Sequence, residues 1–136
     1  MLKTIPTIQE FRKWRKGITG LIGFIPTMGA IHDGHLSLVK KSIEICQTTI
    51  VSIYLNPTQF SPGEDLDKYP KTIEGDLKKL SHFQVDCVFL PNDSEIYPKG
   101  FSIQVQENIL SLILEGESRP EFFTGVLTVV AKLFNI

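Results

Sequence analysis

Two histidines spaced three residues apart, His32 and His35, have the clearest potential for chemistry in this sequence. They lie in the stretch PTMGAIHDGH, between an apolar run that ends at Pro26 and a segment with helical spacing. A turn that leads into a helix directs backbone N–H groups above the sheet, where these groups and the helix dipole favour an anion such as phosphate. The pattern therefore predicts two imidazole rings at an anion-binding turn.

The residues alone leave three interpretations of this pair open. In the first, the histidines are polar residues that cap a helix. In the second they bind zinc, although the remaining histidine, His82, lies far along the chain and the cysteines form no CxxC pair. In the third, imidazole N–H donors and backbone amides stabilise the charge that builds on an α-phosphate as pyrophosphate leaves. That chemistry needs positioning and electrostatic stabilisation but no covalent step from the protein.

The residues around the histidines predict a strand, a turn and a helix. Residues 21–25 form a short apolar run that fits a strand covered on both faces of a parallel sheet, and Pro26 is expected to end it. Gly29 and Gly34 permit a positive φ or a close backbone approach. Apolar residues then recur at helical spacing over 34–46.

The rest of the first ninety residues continues this alternation. The predicted elements are a helix over 8–16 with Thr7 and Glu10 as a capping box, strands over 49–55 and 85–90, and a helix over 72–83 with Ile73, Leu77 and Leu80 on its apolar face. Three strands joined by two helical crossovers predict an α/β fold, a Rossmann-like doubly wound parallel sheet that binds ligands beyond the strands' carboxyl ends. This topology places the turn over 26–35 beside the loop that starts at Asn56.

The remaining segments are less regular. Residues 56–71 are rich in Pro, Gly, Asp and Ser, and loops of that length inside compact domains are usually functional or mobile. The last third predicts a short strand over 101–105, a turn or short helix over 109–114, a loop over 116–121 and a buried helix over 123–134. Because the chain stops within an apolar element, we expect a fragment whose core continues beyond residue 136.

Composition limits the class of protein. An apolar content of 42% and a charged content of 21% are those of a soluble globular chain, and we expect one domain over 1–136. A net charge of −1, with one basic cluster over 12–16 that fits a solvated helix face, argues against a nucleic-acid partner. Cys46 and Cys87 lie in apolar patterns and fit reduced core residues of a cytoplasmic protein. The sequence contains no apolar run of membrane length and no signal peptide, so no membrane partner is expected.

Several blocks of sequence together resemble a known family. They are PTMGAIHDGHLSLV at 26–39, SIYLNPTQF at 52–60, EDLDKYP at 64–70, and LEGESRP and GVLTVVAKLFNI within 114–136. These blocks resemble pantothenate synthetase, also called pantoate:beta-alanine ligase, in the wider group of HxGH nucleotidyltransferases. The resemblance implies that ATP and pantoate form pantoyl adenylate and pyrophosphate, after which the amine of beta-alanine displaces AMP.

The resemblance also implies roles for the histidine turn. His35 would be the proton donor, and His32 would assist at the phosphates. The implied ATP-binding residues are Met28, Gly29, Ala30, Ile31, His32, Asp33, Gly34 and His35.

A second implied group of residues contacts pantoate and beta-alanine. Gln59 would hydrogen-bond pantoate, since an amide both donates and accepts, although an ordinary loop amide is the alternative. Asn56 is expected to hold the loop or to contact the substrate. The apolar wall against the two methyl groups of pantoate would consist of Pro26, Met28, Val126, Val129 and Val130, although core packing would explain the valines equally.

This sequence also departs from the family pattern. Family members are longer and carry GxKDxQQ-like and MSSRN-like segments that complete the ATP and pantoate sites, and neither occurs here. The common RPGHF pattern reads RPEFF over 119–123, with Glu121 and Phe122 in place of glycine and histidine. Arg119 matches a family position near the site opening, but a solvated loop arginine would look the same. We therefore expect an N-terminal nucleotide-binding domain that holds part of the active site and has little or no turnover alone.

The implied small molecules are ATP with Mg²⁺, pantoate and beta-alanine. The sequence shows no dedicated cage for Mg²⁺, and no metal bound by the protein itself is expected. Members of the family are commonly homodimers, so a homodimer is expected. Two other functions stay open: another HxGH adenylyltransferase, against which the NPTQF and LEGESRP blocks argue, and a non-catalytic nucleotide-binding module.

Overall fold

Four parallel strands form a single sheet in this computed structural model, which describes residues 1–60, 63–64, 66–68 and 72–136. The strands hydrogen-bond in the order β1-β4-β3-β2. Their bounds are Thr4–Ile5 for β1, Ile22–Thr27 for β2, Thr48–Ile53 for β3 and Cys87–Phe89 for β4.

Helices connect the strands and cover the sheet. The bounds of the helices are Ile8–Arg15 for α1, Asp33–Ile45 for α2, Ile73–Leu80 for α3, Asp93–Ile96 for α4, Glu115–Ser118 for α5 and Phe122–Phe134 for α6. Short 3-10 helices lie at Pro57–Gln59, Leu66–Lys68 and Leu110–Leu112. No helix in the described ranges is long and apolar enough to cross a lipid bilayer.

Both faces of the sheet are buried, which the side-chain alternation of β3 makes clear. All six residues of β3 are buried. Ile50 and the following Tyr54 pack in a core cluster with residues of α1 and α6, whereas Val51 and Ile53 pack in a second cluster with residues of α2 and α3. The predicted Rossmann-like doubly wound α/β sheet is confirmed.

Strand β2 lies at the edge of the sheet and continues through Pro26, so the prediction that this proline ends the strand is wrong. Thr27 accepts a backbone hydrogen bond from Tyr54, and Leu21 accepts one from Gln47, so the odd-numbered positions of this segment face β3. Pro26 therefore faces the open edge, where its missing N–H removes no bond from the sheet. Leu21, predicted inside the strand, precedes it and is exposed.

Two strands were assigned incorrectly from the sequence. The two-residue β1 was missed because it is too short to show a period, yet its register pairs Ile5 with Phe89. The predicted strand over 101–105 does not form. Its alternation is real, but Ile103 is 81% exposed and no described strand pairs with the segment.

The other elements agree with the prediction more closely. Helix α1 begins after Thr7, whose hydroxyl accepts the amide of Glu10. Helix α2 begins and ends one residue earlier than predicted, and α6 begins one residue earlier. The predicted loop over 116–121 is wrong for its first residues, which belong to α5. The predicted loop over 56–71 contains two of the 3-10 helices, and its residues 61–62, 65 and 69–71 lie outside the described ranges.

The two cysteines are free thiols, as predicted. Cys87 is fully buried, and burial raises the pKa of its thiol to about 11. Cys46 is half-buried at the end of α2. The protonated Cys87 thiol is a packing group with little nucleophilic character.

Candidate active site

A cavity of about 360 Å³ opens beyond the carboxyl ends of β2 and β3. It lies between the start of α2, the Pro57–Gln59 turn and α6. Its lining residues are Pro26, Thr27, Met28, His32, His35, Tyr54, Gln59, Val126, Val129, Val130 and Leu133. The predicted juxtaposition of the histidine turn with the segment after Asn56 is confirmed by this geometry.

The two histidines hold each other at the first turn of α2. His32 is the N-cap, and its Nδ1 accepts the amide of Gly34 at 3.1 Å. The amide of His32 in turn donates to Nδ1 of His35 at 3.3 Å, and the two ring centroids lie 4.0 Å apart. Because both Nδ1 atoms are acceptors, each neutral ring carries its hydrogen on Nε2. The arrangement offers two adjacent N–H donors at the cavity wall.

The surroundings of His35 favour its neutral form. Burial lowers the pKa of His35, the neighbouring His32 lowers it further, and the negative charge of Asp76 acts in the opposite direction. A neutral ring with its hydrogen on Nε2 donates a hydrogen bond without first carrying a full charge. The capping interpretation is therefore compatible with the donor interpretation, because the capping contacts use Nδ1 of each ring and leave Nε2 for another partner.

Most amides of the turn are already used within the protein, which corrects the expected row of free donors. The amides of Ala30 and Ile31 donate to Asp76, at 2.9 and 2.8 Å, and the amide of Gly29 donates to the Thr27 hydroxyl. The side chain of Ile31 is 1% exposed and packs in the core. Within the described residues, the amides of Ala30 and Ile31 are therefore not free to bind a nucleotide, and the expectation that the whole turn contacts ATP stays a prediction.

Two amides at the start of α2 stay available. Within the described ranges, the amides of Asp33 and His35 have no hydrogen-bond partner. Both belong to the first turn of α2, where unpaired amides and the helix dipole favour an anion. Of the predicted turn, Met28, His32 and His35 line the cavity itself.

Glycine is required at two positions of the turn for different reasons. Gly29 has φ +84°, in the left-handed region that side chains rarely adopt. Gly34 is needed for space, because a Cβ there would lie 2.8 Å from Cε1 of His32. Both properties predicted for these glycines, a positive φ and a close approach, are confirmed.

Asn56 holds the cavity loop and does not line the cavity. It is fully buried, and its Nδ2 donates to the side-chain oxygen of Gln59 at 2.9 Å and to the carbonyl of Gly125 at 3.1 Å. Its Oδ1 accepts from the Thr58 hydroxyl and from Tyr97 Oη at 2.8 Å. Of the two expected roles, holding the loop is the one that this burial supports.

The same contacts orient Gln59. Because its side-chain oxygen accepts from Asn56, its amide nitrogen is the group that can donate into the cavity. Arg119 fixes the main chain of the same residue, with Nη2 2.6 Å from the Gln59 carbonyl and 2.9 Å from Oε2 of Glu64. The Arg119 guanidinium also lies 4.3 Å from the ring centre of Phe122, the residue that replaces the family's histidine. Arg119 supports the loop from outside the cavity.

The five residues expected to form an apolar wall all line the cavity. Val129 is 5% exposed and also belongs to the core cluster, so it both packs in the core and lines the cavity.

Sequence reasoning missed Tyr54, whose hydroxyl donates to Asp93 at 3.0 Å and whose pKa is raised by burial and by that carboxylate. Its position one residue past a buried strand, on the same face as Ile50, was the available signal.

The described residues contain no group of three or more His, Cys, Asp or Glu side chains that could hold a metal ion. The zinc interpretation of the histidine pair therefore has no ligand set within these ranges.

The whole chain, residues 1–136, matches the sequence model of a family described as Pantoate-beta-alanine ligase. It is 48% identical over 139 residues to the pantothenate synthetase of Oceanobacillus iheyensis, covering 100% of this chain and 49% of that protein. It is 44% identical to the pantoate–beta-alanine ligase of Saccharomyces cerevisiae, covering 99% of this chain and 48% of that protein. The chain thus spans about half the length of these relatives.

Solved structures give the same similarity in three dimensions. A pantoate-beta-alanine ligase from Francisella tularensis, crystallised with beta-gamma ATP and beta-alanine, has a TM-score of 0.94 and 40% identity, covering 99% of this chain and 53% of that chain. Pantothenate synthetase from Thermus thermophilus has a TM-score of 0.90 and 41% identity, covering 98% of this chain and 48% of that chain.

Proposed function

Because the chain belongs to the pantoate-beta-alanine ligase family, we propose that it contributes the nucleotide-binding part of an enzyme that joins pantoate to beta-alanine with ATP. The observation that carries this proposal is one cavity in which two imidazole donors, the Gln59 amide and an apolar wall face the same space. Residues 1–136 are proposed to act as a single Rossmann-like domain.

In the first step, a carboxylate oxygen of pantoate attacks the α-phosphorus of ATP. A new oxygen–phosphorus bond forms, and the bond to the bridging oxygen of pyrophosphate breaks, giving pantoyl adenylate. Negative charge develops on the α-phosphate and on the leaving oxygen. Nε2–H of His35 and Nε2–H of His32 would stabilise that charge, assisted by the free amides of Asp33 and His35, and His35 is proposed as the proton donor.

Pantoate carries a carboxylate and a hydroxyl on one side of a carbon that bears two methyl groups, and a second hydroxyl on the other side. The nitrogen of Gln59 would donate to the oxygens. An apolar wall would cover the methyl groups and so remove their surface from water. Its residues are Pro26, Met28, Val126, Val129 and Val130. Such a wall would fix the orientation of the carboxylate toward the α-phosphorus.

In the second step, the amine of beta-alanine attacks the acyl carbon of pantoyl adenylate. A carbon–nitrogen bond forms, the carbon–oxygen bond to AMP breaks, and the extra proton on nitrogen leaves to solvent. Gln59 lies on the loop proposed to be near beta-alanine. A relative from Francisella tularensis was crystallised with beta-gamma ATP and beta-alanine, and this complex supports the proposal that the present chain uses ATP and beta-alanine.

Mg²⁺ is proposed to enter bound to the phosphates of ATP. The described residues provide no set of three ligands for it, so this part of the chain would hold the ion only through the nucleotide.

Three further properties are proposed from the family. The chain is expected to act as a homodimer and to work in the cytoplasm. Because it spans about half the length of its relatives, groups from the other half would complete the ATP and pantoate sites, and the 136-residue chain alone would have little or no turnover.

The decisive experiment measures pyrophosphate release from ATP by the full-length gene product, with and without pantoate. We expect release that depends on pantoate, and pantothenate formation once beta-alanine is added. Release that needs a different acceptor would favour another HxGH adenylyltransferase. ATP binding without release under any of these conditions would favour a non-catalytic module.

A further inference from the structure

The turn that carries the histidines is held from behind by a single buried carboxylate. Asp76 lies on α3, is 1% exposed, and accepts the amide of Ala30 at Oδ2 and the amide of Ile31 at Oδ1, at 2.9 and 2.8 Å. The hydroxyl of Thr72 lies 3.4 Å from the same Oδ1. One side chain thus accepts hydrogen bonds from two consecutive amides, those of the two residues directly before His32.

The turn needs such a hold because its backbone is unfavourable by itself. Ala30 has φ 52° and Gly29 has φ 84°, so two successive residues adopt the left-handed region. For a residue with a Cβ, this region is unfavourable. The two hydrogen bonds to Asp76 are charge-assisted, which makes them stronger than hydrogen bonds between neutral groups. They are strong enough to offset the strain.

Helix α3 holds the turn at a second point. The ammonium of Lys79 donates to the carbonyl of Ile31 at 2.5 Å. Asp76 and Lys79 are three residues apart, so they lie on one face of α3 and grip both the amide and the carbonyl of Ile31. The space on that side is also restricted, because a Cβ at Gly29 would lie 3.1 Å from Oδ2 of Asp76.

We propose that Asp76 is a positioning residue for the reaction: it fixes the left-handed turn at Gly29–Ala30 and so sets where the His32 and His35 rings present Nε2–H to the cavity. Asp76 donates nothing to a ligand. The carboxylate is required, since an amide would offer one acceptor and would point an N–H group at one of the two backbone amides. This inference rests on the proposed function in one respect, namely that the two rings donate hydrogen bonds to the phosphates of ATP.

A direct test uses NMR on the isotope-labelled 136-residue chain. We expect scalar couplings across the hydrogen bonds from the amides of Ala30 and Ile31 to the carboxyl carbon of Asp76. This measurement needs no variant, so it decides the contact even if Asp76→Asn fails to fold. Absence of both couplings from a folded chain would overturn the proposal.

The variant Asp76→Asn tests the consequence for the rings. We expect amide exchange of Ala30 and Ile31 to become at least about tenfold faster. The pKa of His35 should fall, because the Asp76 charge that opposes the effects of burial and of His32 is gone. A chain in which neither quantity changes would contradict the proposal.

Asp86→Asn is the matched control. Its carboxylate also accepts a backbone amide, that of Thr49 at 2.7 Å, but at the opposite end of the sheet from the cavity. We expect faster exchange of the Thr49 amide and an unchanged His35 pKa. A fall in the His35 pKa equal to that of Asp76→Asn would show a general loss of stability and would overturn the specific role.

Kinetics of the full-length gene product separate this inference from the proposed function. For Asp76→Asn we expect kcat for pyrophosphate release to fall about tenfold or more, with KM for pantoate within about twofold, because Gln59 and the apolar wall keep their contacts. Unchanged kcat despite a loosened turn would overturn the positioning role. Failure of the unsubstituted enzyme to use pantoate would instead reject the proposed function and leave the NMR result standing.

Discussion

The two imidazole rings of the site differ in their surroundings although they are neighbours. His32 is exposed and caps α2 through Nδ1, whereas His35 is partly buried behind it and accepts the His32 amide. Burial and His32 both lower the pKa of His35. His35 is thus the better candidate for a neutral donor that a bound nucleotide would meet.

The first prediction concerns His35→Ala. Loss of one preorganised donor should lower pantoate-dependent pyrophosphate release by about 10²–10³-fold, with little change in fold. Initial rates at saturating ATP and pantoate measure the effect in the full-length gene product. His82→Ala is the matched control, since His82 is exposed and lies past the end of α3. A His35→Ala enzyme within twofold of the unsubstituted rate would remove His35 from its role.

The second prediction concerns the pKa of His35. NMR titration should place it below the ordinary value of 6.5, and His32→Ala should raise it, because the charge of His32 is one of the two causes of the lowering. The folded chain therefore binds this proton more weakly than the unfolded chain does. Stability contributed by His35 is present above pH 6.5 and is lost as the pH falls below that value. A His35 pKa that falls in His32→Ala would contradict the assignment.

Single residues show what the sequence could predict about the site and what it could not. The HxGH spacing was readable from the local pattern, whereas the apolar wall and the loop-holding role of Asn56 followed from the family resemblance. The hydrogen-bond partners of Asn56 and Asp76 were not readable, since they lie 69 and 46 residues away in Gly125 and Ala30. Asp76 did leave one signal: it sits among the apolar positions of α3, where an unpaired carboxylate would be costly.

At the scale of elements, the site includes two close contacts at glycines. The first turn of α2 folds tightly around the His32 ring at Gly34, and that ring is a movable side chain. Helix α6 meets the Pro57–Gln59 turn at Gly125, where a Cβ would lie 2.6 Å from the carbonyl oxygen of Thr58. The second contact is with the backbone and leaves no room for a side chain.

The third prediction concerns Gly34→Ala. The new methyl group should displace the His32 ring, because Cε1 and Nδ1 of that ring lie 2.8 and 3.0 Å from the position of the added Cβ. Since the ring is a movable side chain and alanine favours helix by about 1 kcal/mol, the fold should persist. We expect ATP affinity to fall about tenfold in calorimetry while the thermal midpoint stays near that of the unsubstituted chain.

Gly75→Ala is the control for this substitution. It makes the same exchange in the first turn of α3, where Thr72 Cβ at 3.8 Å is the one atom of the described residues that the added Cβ would meet. Its ATP affinity should stay the same. Equal loss of ATP affinity in both variants would indicate an effect of helix propensity and would reject the role assigned to the His32 ring.

The fourth prediction concerns Asn56→Asp. The change keeps the acceptor for Thr58 and Tyr97 but places a carboxylate against the oxygen of Gln59 and the carbonyl of Gly125. We expect the free energy of unfolding to fall by about 2–3 kcal/mol, as measured by urea denaturation. Asn92→Asp, which caps the exposed start of α4, should change it by less than about 1 kcal/mol. Equal effects would show that Asn56 is an ordinary loop cap.

Prediction of the elements succeeded where period and length agreed. Helix α6 was assigned within one residue because four apolar positions recur at helical spacing over about two turns. The prediction of a strand over 101–105 was wrong because alternation shows that a strand is possible but supplies no partner strand. Strand β1 was missed for the opposite reason, since its partner strand β4 exists but two residues are too few to show a pattern.

At the scale of the whole molecule, the chain matches about half the length of its relatives and contains a four-stranded parallel sheet. The cavity lies at one edge of that sheet, beside the outer strand β2, and is open rather than enclosed by a second layer of the described residues. This placement is consistent with a site that other parts of a longer enzyme would cover.

The fifth prediction separates binding from turnover. The purified 136-residue chain should bind ATP measurably in calorimetry, because the histidine turn is folded, and His35→Ala should weaken that binding. It should form no pantothenate from pantoate, ATP and beta-alanine at the roughly 1–10³ per second typical of enzymes. Turnover in that range by the 136-residue chain would show that this half suffices and would contradict the proposal.

Pro26 also affects how copies of the chain meet in concentrated solution. The outermost strand of a sheet offers a row of unpaired donors and acceptors on which a foreign strand can extend the sheet. In β2 this outward row consists of the even-numbered residues, and the Pro26 nitrogen interrupts it because it carries no hydrogen. A residue that lines a ligand cavity thereby also hinders the growth of the sheet from one molecule to the next.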